Sequence, residues 1–295
     1  MTAARISFKT SPQGVAWATV RDTWLAGADL EVFQGVWMND HLTDMGEGAG
    51  GPSLEALTLA ATLAHLVPGK WVGHAVLSNT FRHPAVLAKA ATVMDHATGG
   101  RYILGLGAGW HEGEHAAFGL TLPPIAERID RLESAVAVLE ALFSPAAEGG
   151  PGVTLDDPFY PLRGATNRPA PLTAGGPPIY LGGQRRRGLA LAARAAAGWL
   201  QPGTEAGDVA YFAAHRDRLL EALAAIGRDS SGFAFVAQVG TGHTAADHRL
   251  ALDQARGVAR AGATEIILGL PAALGASGLL TMAERVAEPL RHEIG

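Results

Sequence analysis

A closed (β/α)8 TIM barrel of the α/β class is the fold this sequence predicts. Short β-like runs alternate with longer helical patterns, and about eight such units follow one another along the chain. The 295 residues suit a barrel of roughly 250 residues with insertion loops. Each helical pattern tends to open after Pro, Gly or Asp and to close near Gly, the punctuation expected between strands of a parallel sheet. An open doubly wound sheet is the alternative, and eight units favour closure.

The strand candidates run in order Ile6 to Thr10, Val32 to Asn39, Trp71 to Ser78, Tyr102 to Gly107, Pro178 to Gly182, Gly198 to Gln201, Phe233 to Gly240 and Thr264 to Gly269. A helical pattern follows each. The clearest covers Ile125 to Phe143, where Ile125, Ile129, Leu132, Val136 and Leu139 step by three and four into one apolar face. Arg128, Asp130, Arg131 and Glu133 form its solvated remainder. Glu148 to Pro178 is rich in Pro and Gly without a helical period, so it reads as a long excursion with a short hairpin around Val153 to Tyr160. With no internal repeat and no linker, residues 1–295 read as one domain.

Composition narrows the function. At 48% apolar and 17% charged residues, the chain builds one large core. The formal net charge of −5 carries no basic block, so no nucleic-acid partner is expected and a small molecule is. The absence of cysteine excludes disulfides, thiolate metal sites and a cysteine nucleophile. Met1 to Ile6 leads straight into a strand pattern with no secretory leader, which predicts a cytoplasmic protein. Apolar stretches such as Leu57 to Leu66 fall well short of the roughly 20 residues of a membrane span.

A barrel places its site at the carboxyl ends of its strands, and four of those ends carry unusual residues. After the second strand, Asp40 and His41 set a carboxylate beside an imidazole able to take or return a proton near neutral pH. They are the catalytic candidates, although Asn-Asp-His is also ordinary turn composition. The third strand passes through Ala75 and Val76 to Ser78, Asn79 and Thr80, polar residues that either bind the edge of a ring or cap the helix that follows. His83 and Pro84 read as that helix's cap. The fourth strand ends in Gly107, Ala108, Gly109 and Trp110, where alternating glycines let a planar ligand approach the backbone. The nearby His111, Glu112, Glu114 and His115 lack the order of a zinc helix, and no metal is expected. The fifth strand ends in Gly182, Gly183, Gln184, Arg185 and Arg186 before an Ala-rich helix. Free backbone donors and guanidinium groups suit a phosphate or carboxylate there, with a solvated basic helix start as the alternative.

Together these segments resemble the luciferase-like monooxygenase superfamily, in its branch dependent on the deazaflavin coenzyme F420. The resemblance is carried by Thr80-Phe81-Arg82-His83-Pro84, by Ala88 to Asp95, by Thr98-Gly99-Gly100-Arg101 and by Leu104 to Trp110. It implies a cofactor at the carboxyl end of the barrel, with Asp40 and His41 near the ring. It also implies a non-proline cis peptide at Ala75-Val76 beneath the ring, and Gly182, Gly183 and Gln184 on the phosphate side. The chain departs from the sugar-phosphate dehydrogenases of that branch at Trp110, where they carry glutamate. It also lacks the tryptophan common after the Asp-His pair, having Thr43, Asp44 and Met45 in that region.

The resemblance therefore predicts an oxidoreductase moving a hydride between F420 and a small organic substrate, as a homodimer packed through early barrel helices. An FMN-dependent monooxygenase and a non-catalytic flavin-binding protein are the alternatives.

Overall fold

The computed structural model describes residues 4–45 and 50–294. Its strands are β1 (Arg5–Thr10), β2 (Gly35–Met38), β3 (Trp71–His74), β4 (Leu77–Ser78), β5 (Tyr102–Gly107), β6 (Val153–Leu155), β7 (Leu162–Ala165), β8 (Ile179–Gly182), β9 (Gly198–Leu200), β10 (Ala234–Gly240) and β11 (Glu265–Gly269). The strand order is β3-β2-β1-β11-β10-β9-β8-β5-β4, and pairing of β3 with β5 closes the ring. β3 and β4 are two pieces of one barrel strand, so the closed sheet has the eight parallel positions expected. The Ala75–Val76 peptide between the two pieces is cis, as expected from the resemblance.

The helices are α1 (Trp17–Ala28), α2 (Ala56–Leu63), α3 (Pro84–Thr98), α4 (Glu112–Ala117), α5 (Ile125–Phe143), α6 (Pro145–Glu148), α7 (Arg186–Ala195), α8 (Val209–Ala225), α9 (Ala245–Arg260), α10 (Gly275–Met282) and α11 (Glu288–Ile294). α5 has the bounds that its apolar period predicts. α3 opens on a His83 side chain that accepts from Ala85 N, with Pro84 in its first turn, and ends at Gly99 in the left-handed region. The capping reading of His83 and Pro84 is the one observed.

Most strand ends match expectation or shift by a single residue, and two boundaries differ by more. The second strand begins at Gly35 instead of Val32, because the chain is still turning: Phe33 N donates to Leu30 O, and Lys70 Nζ ties the carbonyls of Leu30 and Phe33. The excursion does hold a hairpin, but its second strand is β7. Tyr160 lies in the connection, where Asp157 accepts from the amides of Phe159 and Tyr160.

Strand alternation divides the core into two layers. In β1, Ile6 and Phe8 face the helices, and Trp24 of α1 donates to Thr10 Oγ1 at 3.0 Å. Trp37, Ile103, Tyr180, Leu200, Val236 and Ile267 fill the lumen. Its amino-terminal end is plugged by buried Glu265, which accepts from Ser7 Oγ at 2.6 Å, Trp37 Nε1 at 2.7 Å and Arg5 at 2.6 Å. The ring closes at Gly105, where a Cβ would lie 1.7 Å from the His74 carbonyl oxygen, so β5 reaches the end of β3 only with glycine there.

Candidate active site

At the carboxyl end of the strands, His41 follows β2 and its Nδ1 lies 3.1 Å from Glu114 Oε2. Glu114 is buried in the first turn of α4, and its Oε1 accepts from the amides of Leu42 and Thr43. These obligate donors hold the carboxylate still. With Nδ1–H donated to Glu114, Nε2 is the ring nitrogen left to exchange a proton. Trp110 stands edge-on to His41 at 5.8 Å and is 58% exposed, which puts it on the rim of the mouth.

Asp40 sits differently from its expected place beside His41. It is buried and accepts from Arg82 through both oxygens, at 2.6 and 2.8 Å, and from Ser78 N at 2.8 Å. Burial works to lower the Arg82 pKa, but its bonds to Asp40 and Glu55 outweigh that and raise it. Asp40 therefore ties the loop after β2 to the start of β4, and the carboxylate that orients His41 is Glu114. Arg82 belongs to the segment that carried the resemblance; Glu114 had no sequence signal beyond its place after the fourth-strand glycines.

Val76 leans between Gly107 and Gly182, where added Cβ atoms would come within 2.7 Å of its Cγ2 and 3.5 Å of its Cγ1. Gly109, at φ 78°, lies against Ser78 and Thr80, whose hydroxyls are 2.7 Å apart. Thr80 Oγ1 in turn meets buried His115 Nε2 at 2.7 Å. Val76, Ser78, Gly107, Gly109 and Gly182 thus gather into one floor, with Ala75 and Ala108 their neighbours in the chain. Asn79 joins it by donating its amide to Gly107 O. The buried oxygens Asn39 Oδ1 and Asn79 Oδ1 have no hydrogen-bond partner among the described residues, which leaves acceptors for a ligand.

Gly182, Gly183 and Gln184 lead from β8 into α7. The Gly183 carbonyl accepts from Trp199 Nε1 at 2.7 Å, and the Gln184 carbonyl meets His215 Nε2 at 3.1 Å. Gln184, Arg185 and Arg186 are exposed, and Arg185 caps α7 with no side-chain hydrogen bond. Neither Arg185 nor Arg186 has an ion-pair partner among the described residues, whereas Arg187 is held by Asp130. The arginines lie at the edge of the site and do not meet His41.

His111, Glu112, Glu114 and His115 do not converge. His111 caps α4 and His115 Nδ1 turns to the His111 carbonyl, and no described group of three such residues is arranged to hold a metal. A cleft of about 610 Å³ lies beside Glu114, lined by Leu42, Thr43, Ser53 and His111 as well.

Lys9 escaped the sequence reading. It occupies the lumen side of β1, and its Nζ donates to Gln238 Oε1 at 2.5 Å. A signal was available: Lys9 is, with Arg5, one of two charged residues at the lumen-facing parity of β1.

The pattern of the luciferase-like monooxygenase family matches residues 7–290. The chain belongs to that family. One relative within reach, from Microbacterium testaceum (strain StLB037), is named an F420-dependent glucose-6-phosphate dehydrogenase. It is 31% identical over 172 residues, 57% of this chain and 48% of that protein. The chain spans about half the length of the curated relatives it matches. Among solved structures, an F420-dependent secondary alcohol dehydrogenase in complex with an F420-acetone adduct superposes with a TM-score of 0.77 at 15% identity, covering 98% of this chain and 99% of that one. The long-chain alkane monooxygenase LadA gives 0.78 at 14% identity, covering 99% and 92%. At these identities the two structures establish the fold alone, and the barrel is the family's.

Proposed function

We propose that this chain is an F420-dependent oxidoreductase that moves a hydride between the deazaflavin and a small organic substrate. The observation that carries the reading is His41 at the mouth, with Nδ1 committed to a fixed carboxylate and Nε2 left for proton exchange, beside a floor of small residues. The names of the F420-dependent relatives support it. So does the fit of the residues: glycines at 107 and 182 let Val76 settle between them as a surface on which a planar ring would rest, and the unpartnered oxygens of Asn39 and Asn79 suit its N–H groups. The backbone from Gly182 to Gln184, with Arg185 and Arg186, would hold the anionic tail.

Bound there, F420 supplies a ring carbon that gives or takes a hydride. The chain's own part is to move the proton. A carbonyl that gains hydride needs a proton on oxygen, and an alcohol that loses hydride must lose one; His41 Nε2 serves both directions. Glu114 holds the ring in one tautomer and balances the imidazolium when it forms. Asp40 and Arg82 keep the β2 loop against β4 so that His41 stays over the floor.

The test is fluorescence titration of cofactor-free protein with F420 and with FMN. F420 is expected to bind at least tenfold more tightly, or about 1.4 kcal/mol. Equal or tighter binding of FMN overturns the assignment in favour of the flavin monooxygenase. A homodimer in the cytoplasm completes the reading, with exposed Val86 and Val93, one face of α3, as an apolar surface for the partner. Sedimentation as a monomer at micromolar concentration would remove the dimer.

A further inference from the structure

We infer that Lys9 is the receptor for a carboxylate on the substrate. The inference rests on the oxidoreductase reading of the same mouth and concerns the half of it that the cofactor floor leaves over. That floor is built from the ends of β4, β5 and β8. Lys9 stands on β1, and its neighbours Gln201 and Gln238 follow β9 and belong to β10, on the arc of the ring that runs from β1 through β11 to β8.

The polar arrangement around Lys9 is fixed. Gln238 Nε2 donates to the Gln201 carbonyl at 2.5 Å, and Gln238 N donates to Gln201 Oε1 at 3.1 Å. The amide is thereby oriented with its Oε1 toward Lys9 Nζ. One of three ammonium hydrogens is used, and its acceptor is neutral. No described carboxylate lies within ion-pair distance of Lys9, and the ion pair of Arg5 with Glu265 is at the opposite end of β1, about 13 Å away at the rise of a strand. Lys9 is half-buried, so part of its side chain stays accessible at the mouth, and Gly203 and Gly269, whose added Cβ atoms would touch Nζ at 3.8 Å and Cε at 3.9 Å, present no side chain toward it. Burial lowers the amine to about 8, which leaves it charged at neutral pH. A half-buried ammonium with a neutral partner favours a counter-charge, and the described protein provides none.

The number of charges selects the ligand. A phosphate dianion is usually met by several cations or a nest of amides, whereas one ammonium with two spare hydrogens matches one carboxylate. Arg82, a second cation near the mouth, is spent on Asp40 and Glu55.

Ligand-observed NMR on cofactor-free protein at pH 7, with phenylacetate, phenylacetamide and inorganic phosphate as probes, tests this assignment. Phenylacetate should bind at least tenfold more tightly than the amide or phosphate. The preference should vanish in Lys9→Met, persist in Lys9→Arg and survive saturation with F420. Equal binding of acid and amide, tighter binding of phosphate, or an unchanged preference in Lys9→Met overturns it. Displacement of phenylacetate by F420 also overturns it, by giving the charge to the cofactor. A second measurement needs no variant: peptide mass spectrometry of wild-type protein treated with an amine-acylating reagent. Phenylacetate should slow acylation at Lys9 several-fold while phenylacetamide does not, and an unslowed rate counts against the assignment. F420 binding is read separately by fluorescence, so failure of the oxidoreductase reading is distinguishable from failure of this one.

Discussion

Glu114 Oε2 meets His41 Nδ1 at 3.1 Å across 73 residues of sequence, and the same carboxylate collects the amides of Leu42 and Thr43. Glu114→Gln changes the sense of that contact. With its oxygen kept by the two amides, the new NH2 faces Nδ1, turns it into an acceptor and moves the ring proton to Nε2. Turnover should fall about 10- to 100-fold with an altered pH–rate profile, while F420 affinity stays within a few-fold. An unchanged profile would return Glu114 to a purely structural role.

His41→Ala and His41→Asn should each lose about 10²–10⁴ in single-turnover rate at saturating cofactor, because neither supplies a proton near neutral pH. If cofactor binding falls more than the rate does, His41 packs against the ring instead of moving a proton.

Replacing Arg185 and Arg186 together with alanine should weaken F420 binding by roughly 1.5–3 kcal/mol and leave thermal unfolding unchanged. Both side chains are exposed and unpaired among the described residues, so the fold does not depend on them. Unaltered affinity in the titration would make them a solvated helix start.

Asp40→Asn leaves the Arg82 guanidinium half-buried with Glu55 as its remaining acidic partner. A loss of about 3–5 kcal/mol is expected, read by denaturant unfolding at pH 7. The matched variant Arg82→Met should recover part of it when combined with Asp40→Asn, since the pair is then removed as a unit.

Lys9→Met should be more stable than the parent at pH 7. Burial depresses the amine in the folded state to about 8 from an ordinary 10.5. Below pH 8 both states are charged, and the folded one bears the whole cost. Between about 8 and 10.5 the folded amine is neutral while the unfolded one still binds its proton, so parental stability rises with pH. The advantage of the variant, up to about 3 kcal/mol, should shrink across that window. Thermal unfolding at pH 7 and pH 10 measures it, and an equal advantage at both values contradicts the cause given.

The barrel was legible in the sequence because alternation in the strands and the three-four step of α5 are local properties. Strand ends suffered where a tertiary contact intervened, as when Lys70 holds the turn before Gly35. The places of the strand-end glycines and of Asp40 and His41 were readable as well, because each is a short run at a strand end. The partner of His41 was not, since only the docking of α4 brings Glu114 to it, and Asp40, adjacent in sequence, is drawn away by Arg82. Lys9 lay between these cases: its parity was readable, but its isolation from any described carboxylate emerges only when β10 and β9 are set beside β1.

Gly105 has a consequence for motion. β3 meets β5 through two residue pairs, Val72 with Tyr102 and Gly73 with Ile103, against five where β1 meets β11. With β4 adding the pairs of Leu77 with Leu106 and Ser78 with Gly107, this seam of the cylinder is interrupted in its middle, between Gly73 and Leu77, directly below the floor formed by Val76 and Gly107. Any side chain larger than hydrogen at 105 would push against the His74 carbonyl and part the seam from within. Amide exchange should be faster along β3 and β4 than along β1, and a ring seated on Val76 would act as a clasp across the join, slowing exchange there first.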